Sequence, residues 1–520
     1  MKTKLNKIKN INKIKIHPAL VFFTFTIIIM VISSIGGILN IESNYFKVNI
    51  VSGELEAKRV FIHNLFNRTG IQYLISNLLN NFISFTPLGT LIIGLMGIGV
   101  AYKSGFLNSL NKMIAKILPR KMLTFLITLL GVLCSMFYDV GYVIVIPMAA
   151  ILFRDLKRHP SAGICAAYAG ITFGYGANIV ANSLDSALLP FTRSATTILD
   201  VTYKVNPQGN LFMMIISTFL IAYIGMIVTE RIIIPKLGKY NFEEDEKEQI
   251  EREITSTEKK GVIIAVISII AILIPIIYCI IPGLPFSGLL LNLKATNYTD
   301  QLFGSESYFN QGSVFIFSFL LMVGGLIYGL RVKTINNNRD FVNGMNYYLK
   351  DLSSLLVLIF FAAQFSLIFK KTDIGVVILS YVMNLISDLK ITGIVLVLIT
   401  FVIVSLSTLL VPASSTKWAI LSPVIVPMFM QSSLSPEYAQ AVFRAADSSL
   451  KGITPLFTYF VILIGFLQIY NKKENDTITI SKSLSLMLPY ALAYTILWLT
   501  IIIVFYFLGI PLGINTAVTL

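Results

Sequence analysis

The chain has 520 residues, of which 55% are hydrophobic and 13% charged, against roughly 25% charged in an ordinary soluble domain. That balance excludes a water-soluble globular core and predicts a protein dissolved largely in lipid. The formal charge of +15 invites a nucleic-acid partner, but no basic face or nucleic-acid motif accompanies it. No nucleic-acid partner is expected, and the charge is assigned to membrane topology.

Lys2, Lys4, Lys7, Lys9, Lys13 and Lys15 make residues 1–17 a basic terminus, placed in the cytoplasm by the positive-inside rule. The apolar run 18–40 exceeds the roughly 7–15 residues of a secretory core and no small-residue cleavage site follows, so it predicts an uncleaved first span. Residues 40–80 read as polar and external, 85–102 as a returning span, and 107–117 as an interfacial helix. Lys103, Lys112, Lys116, Arg120 and Lys121 then mark the cytoplasmic side.

Residues 122–153 are too long for one crossing, about 48 Å at 1.5 Å per residue. A single crossing also strands Arg154, Lys157 and Arg158 outside. A re-entrant hairpin, entering and leaving on the cytoplasmic side and turning near Asp139 to Gly141, resolves both conflicts. Its tip must line a cavity, because non-helical backbone at membrane depth needs protein or water around it. A broken helix at 160–193, a span at 210–230 and a charged cytoplasmic loop at 231–260 complete a first repeat over 18–260, and 261–282 is a linking span.

The second repeat, 312–510, follows the same plan: spans 312–330 and 352–370, an interfacial helix at 374–386, a hairpin at 391–433 entering from outside, a broken helix at 436–470, and a span at 484–509. A shift of about 276 positions lays Asp139 on Ser415, Tyr142 on Trp418, Pro147 on Pro423, Pro160 on Pro436, Gly176 on Gly452 and Asn178 on Thr454. The fold expected is an all-α polytopic membrane protein with about nine spans and two oppositely oriented re-entrant hairpins. Inverted repeats with paired broken helices mark the binding site of a secondary transporter near the midplane.

Charges inside the membrane cost several kcal/mol and need partners; Asp139, Asp185, Lys417, Arg444, Asp447 and Lys451 qualify. Arg444 and Asp447, three apart, either pair along their helix or leave the guanidinium to grip a substrate carboxylate through two hydrogen bonds. Asn178 and Thr454 offer oxygens at the two breaks, for a cation or for capping helix ends. Trp418 either stacks on an aromatic ligand or packs. Cys134, Cys165 and Cys279 lack metal-ligand spacing and read as packing residues; no cofactor is expected.

Asn81-Phe82, Phe85 to Gly89, Asp139-Val140-Gly141-Tyr142 through Pro147, His159-Pro160, Ala177-Asn178 with Asp185, and Ala362-Ala363-Gln364-Phe365 together resemble the aminobenzoyl-glutamate transporter family (AbgT). The likeness is strongest in Ser414-Ser415-Thr416-Lys417-Trp418-Ala419 and in Arg444-Ala445-Ala446-Asp447-Ser448 with Ile453-Thr454-Pro455. The resemblance implies a homodimer in a bacterial cytoplasmic (inner) membrane, with a hairpin-bearing transport domain moving elevator-fashion against a scaffold. It also implies a small anionic aromatic amide substrate, p-aminobenzoyl-glutamate or a related folate-pathway compound, with a link to sulfonamide efflux. Asp185, Ser415, Trp418, Arg444, Asp447 and Pro455 then bear on substrate, and Asp139, Asn178, Lys451 and Thr454 on a coupling ion, Na+ or H+. The chain departs from the family pattern in two places. Leu450-Lys451 stands where Thr-Asn is expected, adding a cation and removing two oxygen ligands, and Cys134 to Tyr138 replaces a small polar run.

Two rivals fit less well. An intramembrane aspartyl protease needs two carboxylates sharing a proton, yet Ala177 follows Gly174-Tyr175-Gly176 where the second Asp belongs. A channel does not call for paired hairpins. A carrier of another organic anion, such as a dicarboxylate or amino acid, is the remaining competitor.

Overall fold

The computed structural model describes residues 16–48, 55–137, 139–389, 391–471 and 477–520. The lysines of the basic terminus up to Lys15, and Tyr138 at the first hairpin tip, lie outside the described residues. Eight helices among the described residues are long and apolar enough to cross a membrane. Seven fall on the expected spans: Pro18–Ile38, Arg68–Lys103, Leu211–Leu237, Ser256–Tyr278, Tyr308–Val332, Leu352–Lys371 and Ile480–Leu508, the second of them interrupted at residues 84–86 between Arg68–Ile83 and Pro87–Lys103. The eighth, Arg120–Phe137, is the first limb expected of the cytoplasmic hairpin. Neither half of a broken helix reaches the required length: Pro160–Phe173 and Ser183–Thr196 have 14 residues each, Pro436–Leu450 has 15 and Phe460–Ile469 has 10.

The all-helical expectation needs a correction. Glu42–Val48 and Leu55–Phe61 pair as an antiparallel hairpin in the segment read only as polar and external. Two short runs rich in β-branched and aromatic residues around Ser52-Gly53 are the signal that reading passed over. The hairpin rests on the Ile374–Ser387 helix, where Tyr381 donates to the Glu42 carbonyl at 2.6 Å and Asn384 to that of Asn44 at 3.0 Å. Helix also begins earlier than the external segment implied, at Arg68, because Asn67 caps it by accepting from the Gly70 amide at 2.7 Å. The charged loop carries its own helix, Glu244–Glu251. Beyond the last span the chain folds back, Val518 and Leu512 accepting from the Ser435 and Phe212 amides at 2.9 and 2.8 Å.

Small residues set the spacing of neighbouring long helices. Pro87–Lys103 lies against Tyr308–Val332 so closely that a Cβ on Gly97 would sit 2.2 Å from the Ser318 carbonyl oxygen. In lipid, where apolar surface gains nothing by leaving its solvent, such backbone approach is the main source of helix affinity.

The two hairpin regions repeat each other atom for atom at the positions that define them. Arg120–Cys134 and Ile146–Asp155 both pack on Pro160–Phe173; Gly393–Thr408 and Ser414–Gln431 both pack on Pro436–Leu450. Each second limb ends in a left-handed residue, Lys157 and Ser433, both at φ 57°. The amides that follow, of Arg158 and Leu434, each reach back five residues to Phe153 and Phe429 at 2.9 Å, the hydrogen-bond pattern of a Schellman cap. At the other end of each unit, Asn178 Nδ2 donates to the Leu133 carbonyl at 3.2 Å and Thr454 Oγ1 to the Leu409 carbonyl at 2.8 Å. Every one of these pairs is separated by 276 positions.

Asn178→Ala and Thr454→Val each strand a carbonyl at the end of a hairpin limb, a loss of about 1–3 kcal/mol. Thermal unfolding in detergent is expected to fall for both variants to a similar extent. A variant as stable as the parent contradicts the equivalence of the two caps.

Candidate functional site

Both broken helices stop for identifiable reasons. Gly174 and Gly176 interrupt the first broken helix, and Asn182 restarts it by accepting from the Leu184 amide at 3.0 Å while Asp185 Oδ2 accepts from the Asn182 amide at 2.9 Å. In the second, a short turn at Lys451–Ile453 gives way to Thr454 in extended conformation, as the residue before Pro455 must be.

The breaks cross in contact. A Cβ on Gly176 would lie 2.7 Å from the Arg444 carbonyl oxygen, and one on Gly452 would lie 2.5 Å from the Phe173 ring. Arg444 Nε donates to the Gly176 carbonyl and Tyr168 hydroxyl to the Gly452 carbonyl, each at 3.3 Å. Tyr168 and Arg444, like Gly176 and Gly452, are 276 apart, so each repeat reaches into the break of the other in the same way.

Two ionic groups hold this crossing. The free oxygen of Asp185, Oδ1, bonds Arg444 Nη1, so one carboxylate caps its own helix and neutralises the guanidinium. Arg444 Nη2 is buried without a protein partner. Asp447 is saturated: Lys417 Nζ at 2.5 Å and Thr408 Oγ1 at 3.3 Å on Oδ1, Ser414 Oγ at 2.6 Å and Lys451 Nζ at 3.3 Å on Oδ2. Lys451 also donates to Ser414 Oγ at 2.8 Å and lies 4.0 Å from the Tyr175 ring centroid, a cation–π distance. Tyr175 stands 276 positions before Lys451, so equivalent residues of the two breaks meet.

This geometry revises several sequence readings. Arg444 and Asp447 do not pair with each other, because charges on neighbouring elements come closer than the three-residue spacing along their own helix. Lys451 does not reach water: it is 1% exposed, and its ammonium meets a carboxylate, a hydroxyl and an aromatic face, not the carbonyls of the break. Trp418 packs, its Nε1 donating to Thr192 Oγ1 at 2.9 Å and its ring centroid 4.5 Å from that of Phe443. Asn178 and Thr454 spend their side-chain donors on capping hairpin limbs. Ser415 is exposed at the second tip, outside the ionic network, and Pro455 lies in the turn that follows the second break. Ser414, Thr408 and Tyr175 were not singled out. Ser414 was legible as the residue one helical turn before Lys417, and Tyr175 as the repeat mate of Lys451.

Asp139, at the first tip, bonds the Tyr459 hydroxyl, and Tyr459 stacks on Tyr142 with ring centroids 4.0 Å apart. Asp139 borders a cavity of about 410 Å³ that also touches Tyr175, Ser183, Ser186, Asn310 and Gln311. One wall therefore comes from the hairpin and break, the other from the first turns of the Tyr308–Val332 helix and the residues just before it, Phe303 and Ser305. Tyr175 is common to the cavity and the Lys451 site.

Comparison with known proteins agrees with this architecture. The family model described as "AbgT putative transporter family" matches residues 4–520. The p-aminobenzoyl-glutamate transport protein of Escherichia coli strain K12 is 27% identical over 497 residues, covering 96% of this chain and 93% of that protein. The solved structure of MtrF from Neisseria gonorrhoeae, described among a class of antimetabolite efflux pumps, is 31% identical, covers 97% of this chain and 98% of its own, and superposes with a TM-score of 0.50. With the match running over nearly its whole length, this multi-pass membrane protein belongs to the AbgT transporter family, a family of bacterial transporters and not of enzymes.

Proposed function

We propose that the protein is a secondary active transporter of small anionic aromatic amides, p-aminobenzoyl-glutamate or a related folate-pathway compound, in the bacterial cytoplasmic membrane. The observation that carries this reading is the charge balance at the crossed breaks: Arg444, Lys417 and Lys451 face only two carboxylates, Asp185 and Asp447. One positive charge is in surplus in a water-poor setting, and an anionic substrate supplies its complement. Arg444 Nη2 is an unspent donor for a substrate carboxylate, and a planar guanidinium binds such a group through parallel hydrogen bonds. The cavity at Asp139 has the volume of a small-molecule site, and Ser183, Ser186, Asn310 and Gln311 give it polar groups for an amide.

In this mechanism the two hairpins and two broken helices form the moving body, and the helices packed through Gly97 form the scaffold against which it slides, each protomer of a homodimer working through its own site. The name of the E. coli relative supports the substrate class, and that of the Neisseria neighbour supports efflux as the direction. Reconstituted protein in liposomes, given labelled p-aminobenzoyl-glutamate under separate sodium and proton gradients, is expected to show saturable, gradient-driven flux that excess unlabelled compound suppresses. Flux of a dicarboxylate or amino acid with none of the aromatic amide contradicts the substrate assignment.

Coupling follows from Lys451. Its ammonium already serves Asp447 as a tethered cation, so a free sodium ion has no vacant oxygen on that carboxylate. Transport then depends weakly on sodium, with protons exchanged through Lys451, Asp447 or Asp139. In liposomes at fixed pH, Lys451→Asn is expected to raise sodium dependence severalfold relative to the parent. Steep sodium dependence in the parent, unchanged by the substitution, contradicts the tethered-cation role.

A further inference from the structure

A second cavity, of about 380 Å³, opens where the Pro160–Phe173 helix, the end of Leu211–Leu237 and the start of Ile480–Leu508 meet. Lys236, Lys239 and Lys482 line it together with His159, Ser161 and Ser485. No carboxylate lines it among the described residues. Three like charges are held together without a counter-ion among the described residues, and the positive-inside rule puts them on the cytoplasmic side of the bilayer.

Local structure adds to this field. His159 and Thr479 cap the helices that begin there, His159 Nδ1 accepting from the Ser161 amide at 3.2 Å and Thr479 Oγ1 from the Lys482 amide at 3.2 Å. Two helix N-termini, each carrying partial positive charge, are thus directed at the same space. Lys482 sits in the first turn of its helix, where a cation is electrostatically unfavourable, unless an anion is there to receive it. Lys236 crosses the gap to the Ser485 carbonyl at 2.5 Å, which joins the two lysine-bearing elements at the cavity wall.

The surface beside the cavity selects the kind of anion. From Ser485 a row of exposed apolar side chains, Leu488, Leu492 and Ile496, climbs one face of the Ile480–Leu508 helix, 49%, 58% and 66% exposed. Ile232, 44% exposed, stands on the adjacent Leu211–Leu237 helix. A soluble phosphate has no use for such a stripe. An acyl chain does, because it starts at the cationic cavity and runs toward the bilayer centre.

We propose that this cavity is a binding site for the phosphate headgroup of an anionic phospholipid, with its acyl chain along Leu488, Leu492 and Ile496. The site joins the N-terminal end of the first broken helix to two of the long spans, so an occupied site braces the moving unit at the cytoplasmic boundary. Basic pockets between membrane helices on this side are suited to such headgroups.

The test is native mass spectrometry of the purified protein titrated with phosphatidylglycerol, phosphatidylcholine or inorganic phosphate, with Lys236→Gln/Lys239→Gln/Lys482→Gln beside the parent. At about 1 kcal/mol for each lysine near an anionic surface, the triple variant is expected to bind phosphatidylglycerol on the order of a hundredfold more weakly, while the parent prefers it over phosphatidylcholine. A second variant, Leu492→Asn/Ile496→Asn, keeps the lysines and is expected to weaken the phospholipid without affecting inorganic phosphate. Equal phosphatidylglycerol binding by parent and triple variant overturns the site. Competition by inorganic phosphate at the same concentration as lipid overturns the choice of a lipid and identifies a soluble-anion site.

Discussion

Burying a charge is costly unless it lies beside an opposite charge and is hydrogen-bonded, and five ionic groups lie where the two repeats of this protein cross. Their neutralisation decides much else. Asp185 must cap its own helix start with one oxygen and reach Arg444 with the other, Asp447 must be approached by the second hairpin so that Lys417 and Ser414 can reach it, and Lys451 must turn inward from the break. Each requirement fixes one element against another. Removing Asp185 or Asp447 leaves buried cations uncompensated, a loss of about 3–5 kcal/mol, whereas Asp447 keeps Lys417 when Lys451 is replaced.

The ionic network sits on a near-symmetric frame. The hairpin caps, the left-handed residues that end the second limbs, and the reciprocal contacts of Tyr168 and Arg444 recur at one sequence offset. Symmetry stops at the chemistry. Tyr142, stacked on Tyr459, occupies the place that Trp418 has beside Phe443, and Tyr175 faces Lys451 across the pseudo-axis. At these two positions the first repeat has Tyr142 and Tyr175 where the second has Trp418 and Lys451. The 410 Å³ cavity lies next to Asp139 of the first repeat.

What could be read from the sequence was whatever depended on period, length or offset. Apolar runs located the spans, misplaced cations located the first hairpin, and the 276-residue shift located both breaks. Pairings across elements could not be read, because the nearest opposite charge in sequence was not the nearest in space: Arg444 sits three residues from Asp447 but bonds Asp185, far away in the chain. Trp418 and Lys451 were ambiguous for the same reason, since packing or solvent exposure depends on neighbours contributed by other helices. The β-hairpin at 42–61 was missed where a membrane reading discounted a short extended motif.

The account stands on the two hairpin units being inverted relative to each other, so that one opens to the cytoplasm and the other to the outside. Lys157 and Ser433 are equivalent, exposed, and located where each hairpin hands over to its broken helix. Single cysteines at these positions, in a variant lacking Cys134, Cys165 and Cys279, can be probed with a membrane-impermeant maleimide in intact cells and in inverted vesicles. Labelling of Ser433→Cys from outside and of Lys157→Cys only in inverted vesicles is the result predicted. Labelling of both from one face contradicts the inverted repeat and, with it, the crossing of breaks as a transport site.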